Sequence, residues 1–250
     1  MVTFLWGAHF YNTAHPGSDY DLVSVVLADI DNILSGITYH SGKQKRSIKW
    51  LGEKVDHTRY EVDHFLTLVG KGNIQLIELL MKYDPQYTFY TSKLWTEYHP
   101  AIKHYANKAL NNTNWGHIRG WMHKTMNKVE VQGLTVKRAM LLWRMIIEAR
   151  AWMNKNVFVC RWPDVIEHAP EGMEKLLTEL YEARLSGRVF PERYFLEMEK
   201  LINDQVVVTL AEFDAFEPKK RYNMIVEKQT LVNAIRSEQV REKGQEYWFG

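Results

Sequence analysis

Two hydrophobic periods divide the chain. Over the first sixty residues the apolar positions form short β-branched and aromatic runs: Val-Thr-Phe-Leu-Trp before Gly7, Tyr20 to Ala28, and Ser47 to Leu51, each bounded by turn residues, which predicts strands. The period then changes to 3.6. Val62, Phe65, Leu66 and Val69 fall on one helical face. Gly70 and Gly72 supply the stop signal, and Asn73 is placed to cap the segment from Ile74 to Lys82. Beyond Pro85 the periodicity predicts helices near 92–112, 115–130, 134–155, 171–186, 191–203 and 222–242. The segment from Leu134 to Met153 is apolar almost all round, the pattern of a central buried helix. An α+β protein is therefore expected, with a small α/β unit over residues 1–90 and a helical unit over 91–250.

Composition narrows the class of protein. An apolar content of 46% and a charged content of 25% are those of an ordinary globular chain, which excludes disordered, collagen-like and membrane classes. Met140 to Ile147 is the longest kind of apolar run present, and Arg144 interrupts it, so no membrane partner is expected. The N-terminus lacks the basic start and long apolar core of a secretory signal. A lone cysteine, Cys160, forms no internal disulfide and fits a cytoplasmic location; in Val-Phe-Val-Cys-Arg-Trp it reads as a buried, inert thiol.

Net charge is only +2, but the charges form blocks. Tyr98 to Trp162 holds eleven Lys and Arg against two acids, and Pro163 to Glu217 holds five basic residues against thirteen acidic ones. Two readings stand side by side: one face meets a polyanion, or the two blocks pair with each other.

The chemistry concentrates in Gly7 to Leu22, G-A-H-F-Y-N-T-A-H-P-G-S-D-Y-D-L. In a strand, residues two apart face the same side, so Asp19 and Asp21 would present both carboxylates to one spot. A divalent cation relieves their repulsion, and hard ions such as Mg²⁺ take oxygen ligands and retain substrate phosphates. The Gly7 turn would offer backbone N–H groups to the same phosphate. A turn leading into a solvated strand end explains the pair equally well.

The wider spacing, a strand, the Gly7 turn, about ten residues and then Ser18-Asp19-x-Asp21 on the next strand, resembles the signature of the DNA polymerase β-like nucleotidyltransferase superfamily. It is most similar to the RNA-repair-associated, RlaP-type branch, whose pattern runs G-S-(H/R)-A-Y-G, a short loop, then S-D-x-D; His9, Tyr11, Pro16, Ser18, Asp19 and Asp21 match it. Asp56 to Leu80, with its K-G-N and E-L-L, resembles a further family stretch. So do N-W-G-H-I-R-G-W-M-H-K-T-M-N-K-V, K-R-A-M-L-L-W-R-M, and Arg184 with Gly187. The resemblance implies a polymerase β-like unit with a small mixed sheet, followed by a helical domain that is a candidate acceptor-binding region. It implies Mg²⁺, or Mn²⁺ in its place, with a nucleoside triphosphate as substrate.

On this resemblance Asp19, Asp21 and Asp56 are the expected catalytic and metal-binding residues. Gly7, Ala8, His9 and Ser18 would hold the triphosphate, with Lys137 and Arg138 binding anionic groups. Glu61 and Asp63 compete with Asp56 as third carboxylate, but Thr58 and Glu61 read as a capping box and Asp63 as a solvated helix position. The implied reaction moves a nucleoside monophosphate to an acceptor hydroxyl, with an RNA end as the expected acceptor. The alternatives are a catalytically weak member that binds RNA or a protein partner, and transfer of AMP onto a protein side chain. Ala8 replaces the family serine, which removes a phosphate contact worth about 1 kcal/mol. Phe10 replaces a small residue and Asn12 a glycine; Asn tolerates the left-handed conformation that glycine would adopt there. Lys71 reads as a turn residue and Arg144 as structural. The paired tryptophans of W-G-H-I-R-G-W fit either core or a nucleic-acid stacking surface.

Overall fold

The computed structural model describes residues 1–28, 43–50, 53–112, 116–216 and 222–249. The chain forms two compact units, one of 1–7, 19–113 and 219–250, the other of 8–18 and 114–218. The division thus differs from a single cut near residue 90, because helices from the middle and the end of the chain complete the sheet-bearing unit.

That first unit is built on a mixed sheet of β1 (Val2–Trp6), β2 (Tyr20–Val26), β3 (Lys43–Trp50), β4 (Glu53–Glu61) and β5 (Thr88–Thr91), in the order β3-β4-β2-β1-β5. Only β2 and β4 pair in parallel. Val2, Phe4, Val23, Val25 and Tyr60 share one face by register and are all buried. Phe4 meets Tyr83 and Trp95 edge-on, and Tyr60 packs on Phe65. The opposite face carries a polar ladder in which Thr3 Oγ1 lies 2.8 Å from Ser24 Oγ, which lies 2.7 Å from His57 Nε2. Burial, and then the charge of Arg59, hold the His57 pKa below its usual value.

The strand β4 runs directly into helix α2 (Val62–Gly70). Glu61 caps it alone, accepting from the N–H groups of Asp63 at 2.8 Å and His64 at 3.3 Å. The expected capping box from Thr58 does not form, because the strand continues three residues further and Thr58 remains in the ladder opposite Val23. Helix α3 (Ile74–Met81) begins behind Asn73, whose side chain accepts from Leu76 N–H as anticipated.

Helices α4 (Lys93–Asn112) and α10 (Met224–Phe249) close this unit around α2. Lys228 reaches Asp63 at 2.7 Å, Arg236 reaches Glu61 at 3.6 Å, and Lys108 reaches Glu227 at 2.8 Å. The Tyr105 hydroxyl lies 3.1 Å from the carbonyl of Leu66 and 3.4 Å from that of Met224, joining α4, α2 and α10. Burial, reinforced by the charges of Asp63 and Glu227, pushes its pKa up to about 12.

The second unit contains helices α5 (Gly116–Gln132), α6 (Val136–Lys155), α7 (Trp162–Glu167), α8 (Glu174–Ser186) and α9 (Glu192–Ala215). As its pattern predicted, α6 is the buried centre, capped by Thr135 and ended by Asn156 in the left-handed conformation. The short helical turn α1 (Gly7–Phe10) leads the chain into this unit. Phe10 is buried there, and the Tyr11 carbonyl accepts the Trp162 N–H at 3.0 Å, satisfying one orphan donor at the start of α7. Arg144, buried in α6, lies 3.8 Å from the Tyr11 ring centroid and 5.6 Å from that of Trp121, a cation–π arrangement that gives this charge a structural role. Cys160 is buried.

The charge blocks pair in part. Arg119 meets Asp214 at 2.5 Å and Arg150 meets Glu212 at 2.8 Å, both acids lying on α9. That helix extends twelve residues past its expected end at 203, since Val206, Thr209 and Phe213 continue its buried stripe. No helix among the described residues is long and apolar enough to cross a membrane.

Two stability measurements check this packing. A Cβ at Gly70 would lie 2.2 Å from the Tyr105 hydroxyl oxygen, so Gly70→Ala should destabilise by about 1–3 kcal/mol in denaturant unfolding, and adding Tyr105→Phe should recover part of that loss. His99 packs against the tilted rings of Tyr83 and Trp95, and burial lowers its pKa, partly offset by its hydrogen bond to the Leu80 carbonyl. The unfolded chain therefore takes up the His99 proton first as pH falls. Stability should decline below about pH 6.5 until the folded pKa is passed, and His99→Gln should flatten that decline.

Candidate active site

Parallel pairing of β2 with β4 sets Asp21 directly beside Asp56. Adjacent strands run about 4.8 Å apart, and paired residues present their side chains to the same face. Both carboxylates line one cavity of about 200 Å³, together with Trp6, Thr58, Tyr60, Asn73 and Gln75. Trp6 enters because β1 pairs it with Asp21 on the other side, and Thr58 and Tyr60 follow Asp56 at the strand's two-residue period. Asn73 and Gln75 come from the start of α3.

The turn after β1 fixes one of these carboxylates. Gly7 has φ +65°, and a Cβ built on it would lie 2.3 Å from Asp21 Oδ2. A side chain at this position is thus opposed both by backbone strain and by the carboxylate itself.

The lining suits a hard cation, being oxygen-rich with two adjacent carboxylates. Like charges opposed across a ladder destabilise it, and a divalent ion removes that penalty. Among the described residues no group of three or more His, Cys, Asp or Glu side chains is spaced to hold a metal ion. Asp21 and Asp56 are the carboxylates that could hold an ion in this cavity, with substrate phosphates and water completing its shell as is ordinary for Mg²⁺.

The other expected residues divide between roles. Asp19 precedes β2, which starts at Tyr20; it is exposed and does not line the cavity, so strand alternation does not set it beside Asp21. Glu61 and Asp63 are engaged by α2 and by Arg236 and Lys228, which leaves Asp56 as the carboxylate on the cavity side. Ala8, His9 and Ser18 belong to the second unit. There the Ser18 side chain accepts the His15 N–H at 2.9 Å, closing a turn, while Ala8 accepts the Thr13 N–H at 2.8 Å. Asn12 has φ 58°, the left-handed conformation anticipated for it.

Two basic candidates lie at the start of α6. Lys137 is exposed. Arg138, expected to bind an anion, folds back onto the end of α5, donating to the carbonyls of Gly133 at 2.6 Å and Gln132 at 3.3 Å and to the Gln132 side chain. Lys71 is the C-cap of α2, its N–H donating to Thr67.

Sequence reasoning did not single out Thr58, Tyr60, Asn73, Gln75 or Trp6 for the site. For Thr58 and Tyr60 the signal was present, since alternation from Asp56 along β4 places them on its side. Trp6 and the α3 residues depend on pairing and packing that no local pattern carries. Models of known protein families and curated proteins both give no match to this chain.

Gly7→Ala tests the arrangement without touching a carboxylate. It should lower stability by about 1–2 kcal/mol, and a crystal structure of the variant should show Asp21 displaced from Gly7.

Proposed function

We propose that the protein is a Mg²⁺-dependent nucleotidyltransferase of the polymerase β-like kind, moving a nucleoside monophosphate from a triphosphate to an acceptor hydroxyl with release of pyrophosphate. The observation that carries this reading is the Asp21–Asp56 pair in parallel register on one cavity, with Gly7 packed against Asp21. When bound, Mg²⁺ supplies charge neutralisation at the attacking and leaving oxygens. Asp21 and Asp56 would hold it, with the close approach of Gly7 keeping Asp21 in place, and the Gly7 turn would offer backbone N–H groups to the phosphates. Asp56 would complete the site beside the acceptor hydroxyl. Asp19, exposed two residues before Asp21 and outside the cavity lining, is not assigned to the metal. An RNA end is the proposed acceptor. Phosphoryl-type transfer needs little beyond such positioning and charge compensation.

Transfer of labelled nucleotide from each of the four ribonucleoside triphosphates, with Mg²⁺ and cellular RNA or protein as acceptor, checks the proposal. Asp21→Asn and Asp56→Asn should each lower transfer at least about 100-fold, Asp19→Asn should lower it less, and chelation should abolish it. Transfer unchanged in Asp21→Asn would rule out this site.

Ala8, which offers no hydroxyl, and Ser18, whose oxygen closes a turn, favour a second reading: a nucleotidyltransferase fold that binds RNA with little transfer. Mg²⁺-dependent triphosphate binding distinguishes the enzyme from this alternative, which predicts none.

A further inference from the structure

We propose that the exposed face of α5 is a docking surface for single-stranded RNA, an inference that rests on the RNA acceptor proposed above. Three observations converge on it. A shallow, open depression of about 550 Å³ lies on this one helix, lined by Gly120, Lys124, Asn127, Lys128 and Val131, among others. Its lysines have no ion-pair partner among the described residues, whereas Arg119 on the same helix and Arg150 on α6 are matched by acids of α9. The basic block is thus neutralised in part where it meets α9 and left unneutralised at Lys124 and Lys128.

The third observation concerns Gly120. It lies inside α5, exposed, and a Cβ on it would meet nothing within 4 Å. A glycine inside a helix costs about 1 kcal/mol relative to alanine. No packing among the described residues requires glycine there. A smooth surface beside basic side chains lets a sugar-phosphate backbone approach the helix closely.

Charge and shape together select the occupant. Lys124 and Lys128, about 6 Å apart along the axis, form a cationic row with no acid between them, suited to successive phosphates. Val131, 82% exposed, adds one apolar surface, too little for a bilayer or an amphipathic helix. The Asn127 amide oxygen can accept a ribose 2′-hydroxyl, the group that distinguishes RNA from DNA. A cationic surface with a polar edge can track a single strand along its backbone.

The test uses the full chain and fluorescence anisotropy with a labelled 12-nucleotide RNA of mixed sequence. Lys124→Glu with Lys128→Glu should weaken binding at least tenfold and reduce the slope of log affinity against log salt by about 1.4, or about 0.7 per lost phosphate contact. Lys200→Glu, on the exposed side of α9, should leave affinity unchanged. Gly120→Gln should raise the melting temperature yet weaken RNA binding at least fivefold, separating a docking role from a folding one. The double lysine variant should keep Mg²⁺-dependent triphosphate binding, so failure of docking and failure of the transferase reading are distinguishable. The proposal is overturned if the double lysine variant or Gly120→Gln binds RNA normally, if DNA of the same sequence binds as tightly, or if acidic vesicles or polyglutamate bind through these lysines while RNA does not.

Discussion

The parallel pairing of β2 with β4 is the constraint from which the candidate site follows. Antiparallel neighbours are easily joined by a short hairpin, but a parallel pair needs a crossover, and here the chain travels outward through β3 before returning as β4. That return fixes the register in which Asp21 meets Asp56, Val23 meets Thr58 and Val25 meets Tyr60. A one-residue slip would turn Asp56 to the opposite face and bring His57 into the cavity. The apolar partners on the same face, Val23, Val25 and Tyr60, resist that slip because each is buried. Core packing and placement of the carboxylates are therefore one and the same register.

Local signals in the sequence were good wherever a local cause operates. The strands before Gly7 and after Asp19, the Asn73 cap, the buried α6 and the left-handed Asn12 all follow from periodicity or from the conformational preference of one residue. Asp56 was recognised as the carboxylate on the strand before α2. What local patterns could not carry was partnership. Thr58 and Glu61 have capping-box spacing, yet pairing with β2 keeps Thr58 extended and leaves Glu61 to cap the helix alone. Asp63 reads as solvated, and only the approach of α10, far away in sequence, turns it into the partner of Lys228. The four-residue β5 has too little pattern of its own and exists by pairing with β1.

The loop after Gly7 shows how one stretch answers to two demands. Gly7 adopts the left-handed turn that lets Asp21 approach closely, while Phe10 and Tyr11 are core and cation–π partners among the helices of the second unit. Phe10 is explained by burial. Asn12 holds a positive φ for a separate reason, since asparagine adopts it more readily than most residues.

The attachment of α10 to the sheet-bearing unit bears on how the protein is made. Ribosomes deliver the strands and α2 long before residues 224–249, so a nascent chain carries Glu61 and Asp63 at the head of α2 without the cations that later face them. The second unit, contained within 8–218, can be completed earlier. Vectorial synthesis therefore leaves the half bearing Asp21 and Asp56 to mature last, and during that interval it is the part most exposed to chaperones and proteases.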